Sequence, residues 1–530
     1  MDRKKVLIAE KVNIESIKNV LESHVEVDVK LDLPREELLR EIGNYDGLIV
    51  RSSTKVDKEL LANTKKLKVV GRAGNGIDNI MIDEATKKGV VVANTPDSNS
   101  ISACELTIGL LLATARNICR ANSYLKSGKW DRKRFMGSEL YNKTLGIIGL
   151  GRIGGLVASR MAAFGMNIIA YDPYIPDERF ERFNAAKKEN LEELLAESDF
   201  ITIHTPKTTE TIGMISEEEI GKMKDEVIIV NVARGGIIDE KALLQGLKSG
   251  KVIGAGIDVH EKEPSYNNPL FELDNTVVTP HIGASTNEAQ LNVGETIAKQ
   301  VLCALDGEVV PNAINLPTLN RDELKVIKPY LYLMEKLGKI YYQLYTTPID
   351  MIDINYYGSI ANQDVEMITV AFLKGLLEPV IKERVNYVNA RLISKQRGIV
   401  INERKLNENY NGYTDLVKVK IRGKDINFTL SGNLSRKNEG RLVEMLGYEI
   451  DVTPSEHMLF IQNKDIPGVI GRIGTVLGTE NVNIASMQVG RLEMGEEALM
   501  LLNVDNEVST ETLKEVEKIS NILSVKKVEL

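Results

Sequence analysis

The first hundred residues alternate short apolar runs with amphipathic stretches. The apolar runs predict strands at residues 6–9, 46–50, 68–71 and 90–93. Stretches between them, such as 36–42 and 83–88, have the pattern of helices. Strands that alternate with helices predict a parallel sheet covered on both faces.

A long apolar helix at residues 102–117 leads to a second pattern, which starts at Thr144. Its apolar runs predict strands at residues 145–149, 168–171, 200–203, 227–231, 252–257 and 276–279. Helix-compatible segments separate most of these runs, so we expect a doubly wound sheet. A helix at 287–305 follows, and residues 311–315 are expected to cross back to the first domain.

Residues 320–452 have a less regular pattern. It predicts helices at 322–344 and 365–383, strands at 416–421 and 426–430, and a linker at 451–455. The last 74 residues then follow the order βαββαβ, which is ferredoxin-like. The predicted elements of this tail are residues 457–462, 467–478, 482–490, 497–504, 509–520 and 524–529.

Length and composition narrow the classes of protein. At roughly 150 residues per domain, 530 residues correspond to three or four domains. A net charge of -8 argues against nucleic acid as a partner. Three cysteines are too few for a disulfide framework or a four-thiolate zinc site, so we expect a reducing, cytoplasmic setting and no metal ion. No apolar run approaches the roughly 20 residues that span a bilayer, so no membrane partner is expected.

A glycine-rich turn follows the strand at 145–149 and opens a helix. Gly149, Gly151 and Gly154 have the spacing GxGxxG, in which the glycines allow a tight turn, close approach of a pyrophosphate, and close packing of helix on strand. The next strand ends at Asp172, whose carboxylate can accept both ribose hydroxyls of NAD and would repel the 2′-phosphate of NADP. We therefore predict an NAD site.

Three histidines follow predicted strands of this sheet, at the edge where open α/β folds bind ligands. They are His204, His260 and His281, and from the residues alone each is a candidate general acid or base. Arg234 can bind a carboxylate through two hydrogen bonds, and Gly235 and Gly236 beside it predict close approach of a ligand. A surface ion pair is the alternative for Arg234, and a solvated carboxylate is the alternative for Glu263 of the acidic loop 260–263.

Taken together, these motifs resemble the D-2-hydroxyacid dehydrogenase family. They occur in the order Gly149–Gly154, Tyr171-Asp-Pro173, His204-Thr-Pro206, Asn231–Gly236, Asp258-Val and Thr279–Thr286. The resemblance implies that His281 exchanges the proton of the substrate C2 oxygen, that Glu263 orients His281, and that Arg234 binds the C1 carboxylate. It implies NAD contacts from Asn75, Gly149, Gly151, Arg152, Ile153, Gly154, Asp172, His204, Thr205, Pro206, Val232, Ala233, Arg234, Asp258, His281, Gly283 and Ala284. Asn75 departs from the family, because many relatives carry Thr there.

Further motifs at 51–56, 71–79 and 128–137 resemble the branch of this family that acts on a phosphorylated hydroxy acid. The implied reaction is oxidation of 3-phospho-D-glycerate to 3-phosphohydroxypyruvate, the first step of the phosphorylated route to L-serine. The implied substrate contacts are Arg51, Ser52, Arg72, Gly74 and, from the second subunit of a dimer, Arg132. A solvated charge run is the alternative for Arg132.

The remaining residues resemble the intervening domain and the ACT regulatory domain of that branch's long form. The implied α/β architecture has a flavodoxin-like substrate domain at 1–98 and 287–318, a Rossmann domain at 99–286, an α+β intervening (allosteric substrate-binding) domain at 319–452 and a ferredoxin-like ACT domain at 453–530. A homodimer or homotetramer is implied, with L-serine as an effector at Asn463, Asp465 and Asn483. Capping of a helix by Asp465 and a turn at Asn483 are the alternatives.

Two other functions fit parts of the pattern. One is a related dehydrogenase for glyoxylate, hydroxypyruvate or lactate, and the other is an NAD-sensing corepressor built on the same fold. The ACT-like tail and the additional arginines argue against the first. The intervening and ACT-like domains argue against the second, and Glu263 argues against a formate-specific enzyme, which has an amide at that position.

Overall fold

The computed structural model describes residues 3–96, 98–317, 321–345, 347–424, 426–493 and 495–530. The expected boundary between residues 318 and 319 lies outside this part of the chain. In the described part, no single helix is long and apolar enough to cross a membrane. Only the pair Ser100–Ala115 and Ile118–Lys126, bent by 63°, passes that test of length and composition.

The first sheet is parallel and has the order β2-β1-β3-β4-β5, as expected for a flavodoxin-like domain. Its strands are β1 to β5 (Lys5–Ile8, Glu26–Val29, Gly47–Val50, Val69–Arg72 and Val91–Ala93), and its helices are α1 to α4 (Ile14–Leu21, Arg35–Glu41, Lys58–Ala62 and Ile82–Lys87). The sequence analysis did not predict β2. It is an incompletely buried edge strand with acidic residues at alternate positions, so it has no continuous apolar run.

The second sheet is also parallel, in the order β12-β11-β10-β9-β6-β7-β8, which confirms the doubly wound prediction. Its strands are β6 to β12 (Thr144–Ile148, Asn167–Tyr171, Ala186–Lys187, Phe200–Ile203, Val227–Asn231, Val252–Ile257 and Thr276–Val278). The helices α5 to α11 span Ser100–Ala115, Ile118–Lys126, Arg152–Ala163, Asp177–Arg182, Leu191–Glu197, Glu217–Lys222 and Glu240–Ser249. The two-residue strand β8 was missed because both residues are exposed.

The helix α12 (Asn287–Leu305) returns the chain to the first sheet. Val293, Ile297 and Val301 belong to the same apolar core as strand residues of that sheet. A Cβ on Gly71 of β4 would lie 2.8 Å from Ile297 Cγ1, so glycine lets helix and strand approach. The Ile314 N–H then donates to the Val92 carbonyl at 2.7 Å, which confirms the predicted crossing.

The third sheet is mixed, in the order β14-β13-β15-β16-β17-β18. Its strands β13 to β18 are Met351–Gly358, Val400–Leu406, Asp415–Gly423, Ile426–Leu434, Gly440–Met445 and Tyr448–Val452. Its helices α13 to α15 are Arg321–Leu344, Glu366–Leu377 and Ala390–Gln396. The sequence analysis missed β13, β14, β17, β18 and α15, extended α14 too far, and assigned the end of β18 to a linker. Polar residues interrupt the apolar runs of these half-buried strands.

The C-terminal sheet is antiparallel, in the order β20-β21-β19-β22, and confirms the ferredoxin-like prediction. Its strands β19 to β22 are His457–Lys464, Ile484–Arg491, Glu497–Val504 and Ile522–Glu529, and its helices α16 and α17 are Val469–Thr479 and Thr510–Glu517. Apolar residues of both helices share one core with those of the sheet.

Candidate active site

The glycine-rich turn has the geometry of a nucleotide-binding loop. Gly149 has a positive φ of 90°, and its N–H donates to the Tyr171 carbonyl at 2.9 Å. A Cβ on Gly154 would lie 2.1 Å from the Gly149 carbonyl oxygen, so glycine is required for packing there. At Gly151, directly before α7, no described residue other than its two chain neighbours has an atom within 4 Å of a Cβ position. This open side at a helix N-terminus can receive a pyrophosphate.

Asp172 lies beside this loop, at the end of β7. Its Oδ2 accepts a hydrogen bond from the Leu150 N–H and its Oδ1 accepts one from the Tyr174 N–H, each at 3.0 Å. The carboxylate is therefore fixed next to the glycine turn, with Arg152 and Ile153 in the first turn of α7.

The residues after β9 and β10 form the other predicted wall of the nucleotide site. Burial lowers the pKa of His204 to about 3, and its Nε2 lies 3.0 Å from Thr202 Oγ1. Thr205 Oγ1 is buried and has no hydrogen-bond partner among the described residues. An unpartnered hydroxyl, the open side at Gly151 and the fixed Asp172 carboxylate together fit NAD.

Glu263 and His281 form a hydrogen-bonded pair. Their atoms Oε2 and Nδ1 are 2.6 Å apart, and Glu263 Oε1 also accepts from the His260 N–H at 3.0 Å. Burial alone would raise the pKa of Glu263, but these hydrogen bonds outweigh burial and hold that pKa below its ordinary value. Nδ1 is thus engaged, and Nε2 is the ring nitrogen left for a substrate.

Asp258 holds the turn that carries His281. Its side chain is fully buried and accepts from the Thr279 hydroxyl at 2.6 Å and from the N–H groups of Ile282 and Gly283 at 2.8 and 2.9 Å. These bonds stabilise His281 in a left-handed backbone conformation, with a φ of 54°. Beyond the turn, the Ala284 carbonyl accepts a hydrogen bond from Gln290 at 2.9 Å. Asp258 therefore stabilises the turn that carries His281, in addition to its predicted contact with NAD.

The structure separates the three candidate histidines. His260 is only 7% exposed, its Nε2 lies 3.2 Å from the Thr279 carbonyl, and its ring packs edge-on against Phe271. His204 is kept neutral by burial. His281, whose side chain is 45% exposed, is the one paired with a carboxylate.

Arginines from both domains meet at the turn that contains Gly74 and Gly76. A Cβ on Gly74 would lie 2.1 Å from Arg72 Nη1, and one on Gly76 would lie 2.7 Å from Arg234 Nη2. Burial, followed by repulsion from Arg234 and Arg51, lowers the pKa of Arg72 to about 10. The buried Nε of Arg72 has no hydrogen-bond partner in the described part of the chain. Asp78 also lies at this turn, with its Oδ2 3.0 Å from the Cβ position on Gly76, and offsets part of the repulsion between the arginines. The cluster of three arginines fits an anionic ligand.

Gly235 corrects one detail of the sequence analysis. A Cβ at this position would lie 1.8 Å from the His260 carbonyl oxygen, so the glycine lets two loops of the protein approach rather than a ligand. That packing places Arg234 next to the loop that carries Glu263. Arg234 Nη1 donates to the Ala233 carbonyl at 2.7 Å, and the Arg234 carbonyl accepts from Asn231. Val232 Cγ1 lies 3.1 Å from a Cβ position on Gly283.

Glu10 supports the loop of Arg51 from outside the predicted site, and the sequence analysis did not identify it. It accepts hydrogen bonds from the loop after β3, which contains Arg51 and Ser52. As an isolated acidic residue it has no motif. Its position just beyond β1, at the carboxyl edge of the sheet, is the signal that could have identified it.

Arg132 and Asn75, which are predicted to contact the substrate and NAD, are exposed in the single chain. Arg132 lies in the loop after α6, where its neighbour Arg134 pairs with Asp274 at 3.4 Å. Asn75 is held by its carbonyl, which accepts from Asn94 Nδ2 at 2.6 Å. The contribution of Arg132 to a second subunit stays a prediction.

The C-terminal candidates lie at the end of β19 and the start of β20. Asp465 Oδ2 pairs with Arg491 Nε at 3.3 Å, and Asn483 donates to Asp505 at 2.7 Å. Asn463 is 3% exposed and its Oδ1 has no hydrogen-bond partner among the residues described. The capping alternative for Asp465 is wrong, since Gly468 is the residue at the N-cap of α16. The sequence analysis did not identify Arg491 as the partner of Asp465.

Fold and site together define an NAD-dependent dehydrogenase. Residues 108–283 match the model of the D-isomer specific 2-hydroxyacid dehydrogenase NAD binding domain. Residues 326–446 match the D-3-phosphoglycerate dehydrogenase intervening domain, and residues 457–521 match the ACT domain.

Curated relatives cover nearly the whole chain. D-3-phosphoglycerate dehydrogenase of Methanocaldococcus jannaschii is 46% identical over 98% of this chain and 99% of its own length. The Archaeoglobus fulgidus enzyme of the same name is 45% identical over 99% of this chain and its own full length. The chain belongs to the D-3-phosphoglycerate dehydrogenase family.

Solved structures match more than half of this chain. A D-lactate dehydrogenase from Aquifex aeolicus, complexed with NAD and lactic acid, is 29% identical and matches 59% of this chain and all of its own, with a TM-score of 0.53. The Thermus thermophilus protein TT0316 is 33% identical and matches 58% of this chain and 99% of its own, with a TM-score of 0.55.

Proposed function

We propose that this chain oxidises 3-phospho-D-glycerate to 3-phosphohydroxypyruvate with NAD. The observation that carries the proposal is the meeting of Arg72 and Arg234 from different domains, with Arg234 packed beside the loop of the Glu263–His281 pair. The names of the full-length relatives support the substrate. The reaction would be the first step of the phosphorylated route to L-serine.

The chemistry follows from the assigned atoms. Arg234 binds the C1 carboxylate through two hydrogen bonds and polarises the C2 oxygen. His281 Nε2 takes the proton of the C2 hydroxyl, and the Glu263 carboxylate stabilises the imidazolium that results. The glycine turn, Asp172 and the residues after β9 and β10 would hold NAD, which would supply the hydride acceptor when bound. In the reverse direction His281 returns the proton.

The phosphate group is assigned to Arg51 and Arg72 of the same chain and to the partner subunit's Arg132. An ionised phosphate satisfies the unpartnered Nε of Arg72 and offsets repulsion between the guanidinium groups. Exposed apolar side chains near Arg132 support a dimer through this region: Ile118, Leu125, Trp130 and Met136. A homodimer or homotetramer is part of the proposal, as is the cytoplasmic location expected from the sequence.

The ACT domain is proposed to bind L-serine between two subunits and to inhibit the enzyme. The Asp465 carboxylate would accept the ammonium group in place of Arg491. Asn463 and Asn483 would bind the carboxylate or hydroxyl, and the unpartnered Asn463 Oδ1 supports a polar ligand.

The proposal is tested by following NADH consumption with phosphohydroxypyruvate, hydroxypyruvate and glyoxylate. We expect kcat/KM for phosphohydroxypyruvate to exceed the other two by at least about tenfold, the effect of one charge-assisted hydrogen bond. Equal efficiency with all three would indicate a glyoxylate or hydroxypyruvate reductase. Absence of turnover together with NADH binding would indicate a sensor.

A further inference from the structure

Glu10 lies at the carboxyl end of the first sheet and is only 7% exposed. Its Oε2 accepts hydrogen bonds from the N–H groups of Ser52 and Ser53, each at 3.1 Å, and from the Ser53 hydroxyl at 3.0 Å. Its Oε1 accepts from the Thr54 N–H at 2.7 Å. One buried carboxylate thus binds the consecutive N–H groups of the loop that follows Arg51.

Asn79 holds the same loop through its carbonyl groups. Its Nδ2 donates to the Arg51 carbonyl at 3.1 Å and to the Thr54 carbonyl at 2.7 Å. The N–H groups and the carbonyl groups of the loop are therefore bound from different elements. This leaves the backbone at Arg51 little freedom to move.

The carboxylate is also an internal counter-charge. Burial would raise the pKa of Glu10, but the hydrogen bonds donated by the loop after Arg51 outweigh burial and hold that pKa below its ordinary value. Glu10 is therefore ionised at neutral pH. Its negative charge adds to the larger effect of Asp78, and both carboxylates act on Arg72 against the repulsion from Arg234 and Arg51.

We propose that Glu10 is a positioning residue that holds the Arg51 loop, so that Arg51 and Arg72 bind the phosphate end of the substrate together. The inference rests on the proposed function, because that function assigns both arginines to the phosphate. The loop N–H groups already donate to Glu10, so guanidinium groups rather than these N–H groups bind the phosphate. Glu10 itself does not touch the substrate.

The experiment compares the wild type with Glu10→Gln, Glu10→Asp and Ser53→Ala, using phosphohydroxypyruvate and hydroxypyruvate with NADH. The amide nitrogen of Gln cannot accept from the loop N–H groups, so Glu10→Gln should raise KM for phosphohydroxypyruvate at least about tenfold. Its kcat and its efficiency with hydroxypyruvate should change by less than about threefold. Glu10→Asp, which keeps the charge, should recover part of this loss.

Two further variants serve as controls. Glu26→Gln, on the exposed edge strand of the same sheet, should match the wild type. Ser53→Ala removes one hydrogen bond and leaves the charge, so it should raise the same KM by a smaller factor and remains informative if Glu10→Gln does not fold. An unchanged circular dichroism spectrum and Tm show that the variants are folded, and an unchanged NADH Kd, measured by fluorescence, shows that the cofactor site is intact.

The outcomes are distinct. The inference would be overturned if folded Glu10→Gln kept the wild-type ratio of kcat/KM for phosphohydroxypyruvate to kcat/KM for hydroxypyruvate. It would also be overturned if Ser53→Ala left KM for phosphohydroxypyruvate unchanged. An equal loss with both substrates would also overturn it, since that points to general damage. A wild-type enzyme that does not prefer the phosphorylated substrate would overturn the proposed function itself.

Discussion

His281 Nδ1 lies 2.6 Å from Glu263 Oε2, although the two residues belong to different loops of the nucleotide-binding domain. The pKa of the Glu263 carboxyl lies below its ordinary value, so the group is ionised at neutral pH. It loses its charge only when the pH falls below that lowered pKa. The pair is therefore set to orient an imidazole and to stabilise its protonated form.

His281→Ala should reduce turnover by roughly 10²–10⁴, the usual contribution of a positioned acid or base. NADH binding should stay near the wild-type value, as measured by fluorescence titration. Glu263→Gln should shift the pH profile of turnover rather than abolish activity. His24→Ala, at an exposed position, is the control. Near-normal turnover in His281→Ala would redirect the assignment to His204 or His260.

Asp172 should make the enzyme prefer NAD over NADP by at least about 1.4 kcal/mol, or tenfold. Asp172→Asn keeps the size of the side chain but removes the charge that repels a 2′-phosphate, so the ratio of kcat/KM for the two cofactors should narrow. Asp177→Asn, where an exposed Asp pairs with Lys187, should leave the ratio unchanged. Equal use of both cofactors by the wild type would contradict this assignment.

Arg72→Met should raise KM for the phosphorylated substrate by roughly 10- to 100-fold, because a charge-assisted hydrogen bond is lost. Thermal stability without substrate should not fall, since burial and repulsion from other arginines disfavour this charge more than the Asp78 and Glu10 carboxylates favour it. Arg40→Met, at an exposed position of the same domain, controls for loss of surface charge. A lower Tm with unchanged KM would mean that Arg72 has a structural role.

Arg132→Ala should raise KM for the phosphorylated substrate, through the partner subunit. When Arg132→Ala chains are mixed with inactive His281→Ala chains, each mixed dimer should contain one complete site. That site has His281 from the first chain and Arg132 from the second. Such recovery is measured as activity above that of either variant alone. No recovery in verified mixed dimers would argue against a site shared between subunits.

Asp465→Asn should abolish inhibition by L-serine while turnover is retained. The coupling that is lost should be about 1–3 kcal/mol, the usual range between two sites. Glu515→Gln, at an exposed position of the same domain, is the matched control. Unchanged wild-type turnover at millimolar serine, with no heat of binding in calorimetry, would refute the serine site.

His204→Gln should make the stability of the NAD-free protein less sensitive to acid. The folded-state pKa of His204 is about 3, below the ordinary value near 6.5, so the unfolded chain binds more protons as pH falls below about 6.5. Between pH 7 and 5 this should destabilise the wild type by about 2 kcal/mol relative to the variant. The free energy of unfolding of both proteins is measured by chemical denaturation at pH 7 and pH 5. An equal loss of stability in the wild type and in His204→Gln would contradict the burial of His204.

The sequence by itself determined the local features. Gly149, Gly151, Gly154 and Asp172 were predictable because the strand, turn and helix that place them are adjacent in the chain. Long apolar runs identified the central strands of both parallel sheets, since such strands are buried on both faces. β2 and β8 lack this signal, because edge strands are only partly buried.

Tertiary structure decided which of the edge residues meet. All three candidate histidines follow strands of one sheet, and only the fold turns His260 inward and pairs His281 with Glu263. The meeting of Arg72 with Arg234 depends on how two domains, separate in sequence, are packed together. Glu10 gains its role from a loop more than forty residues away. Contacts of this kind leave no local pattern, because they depend on the positions of whole sheets rather than on neighbours in the chain.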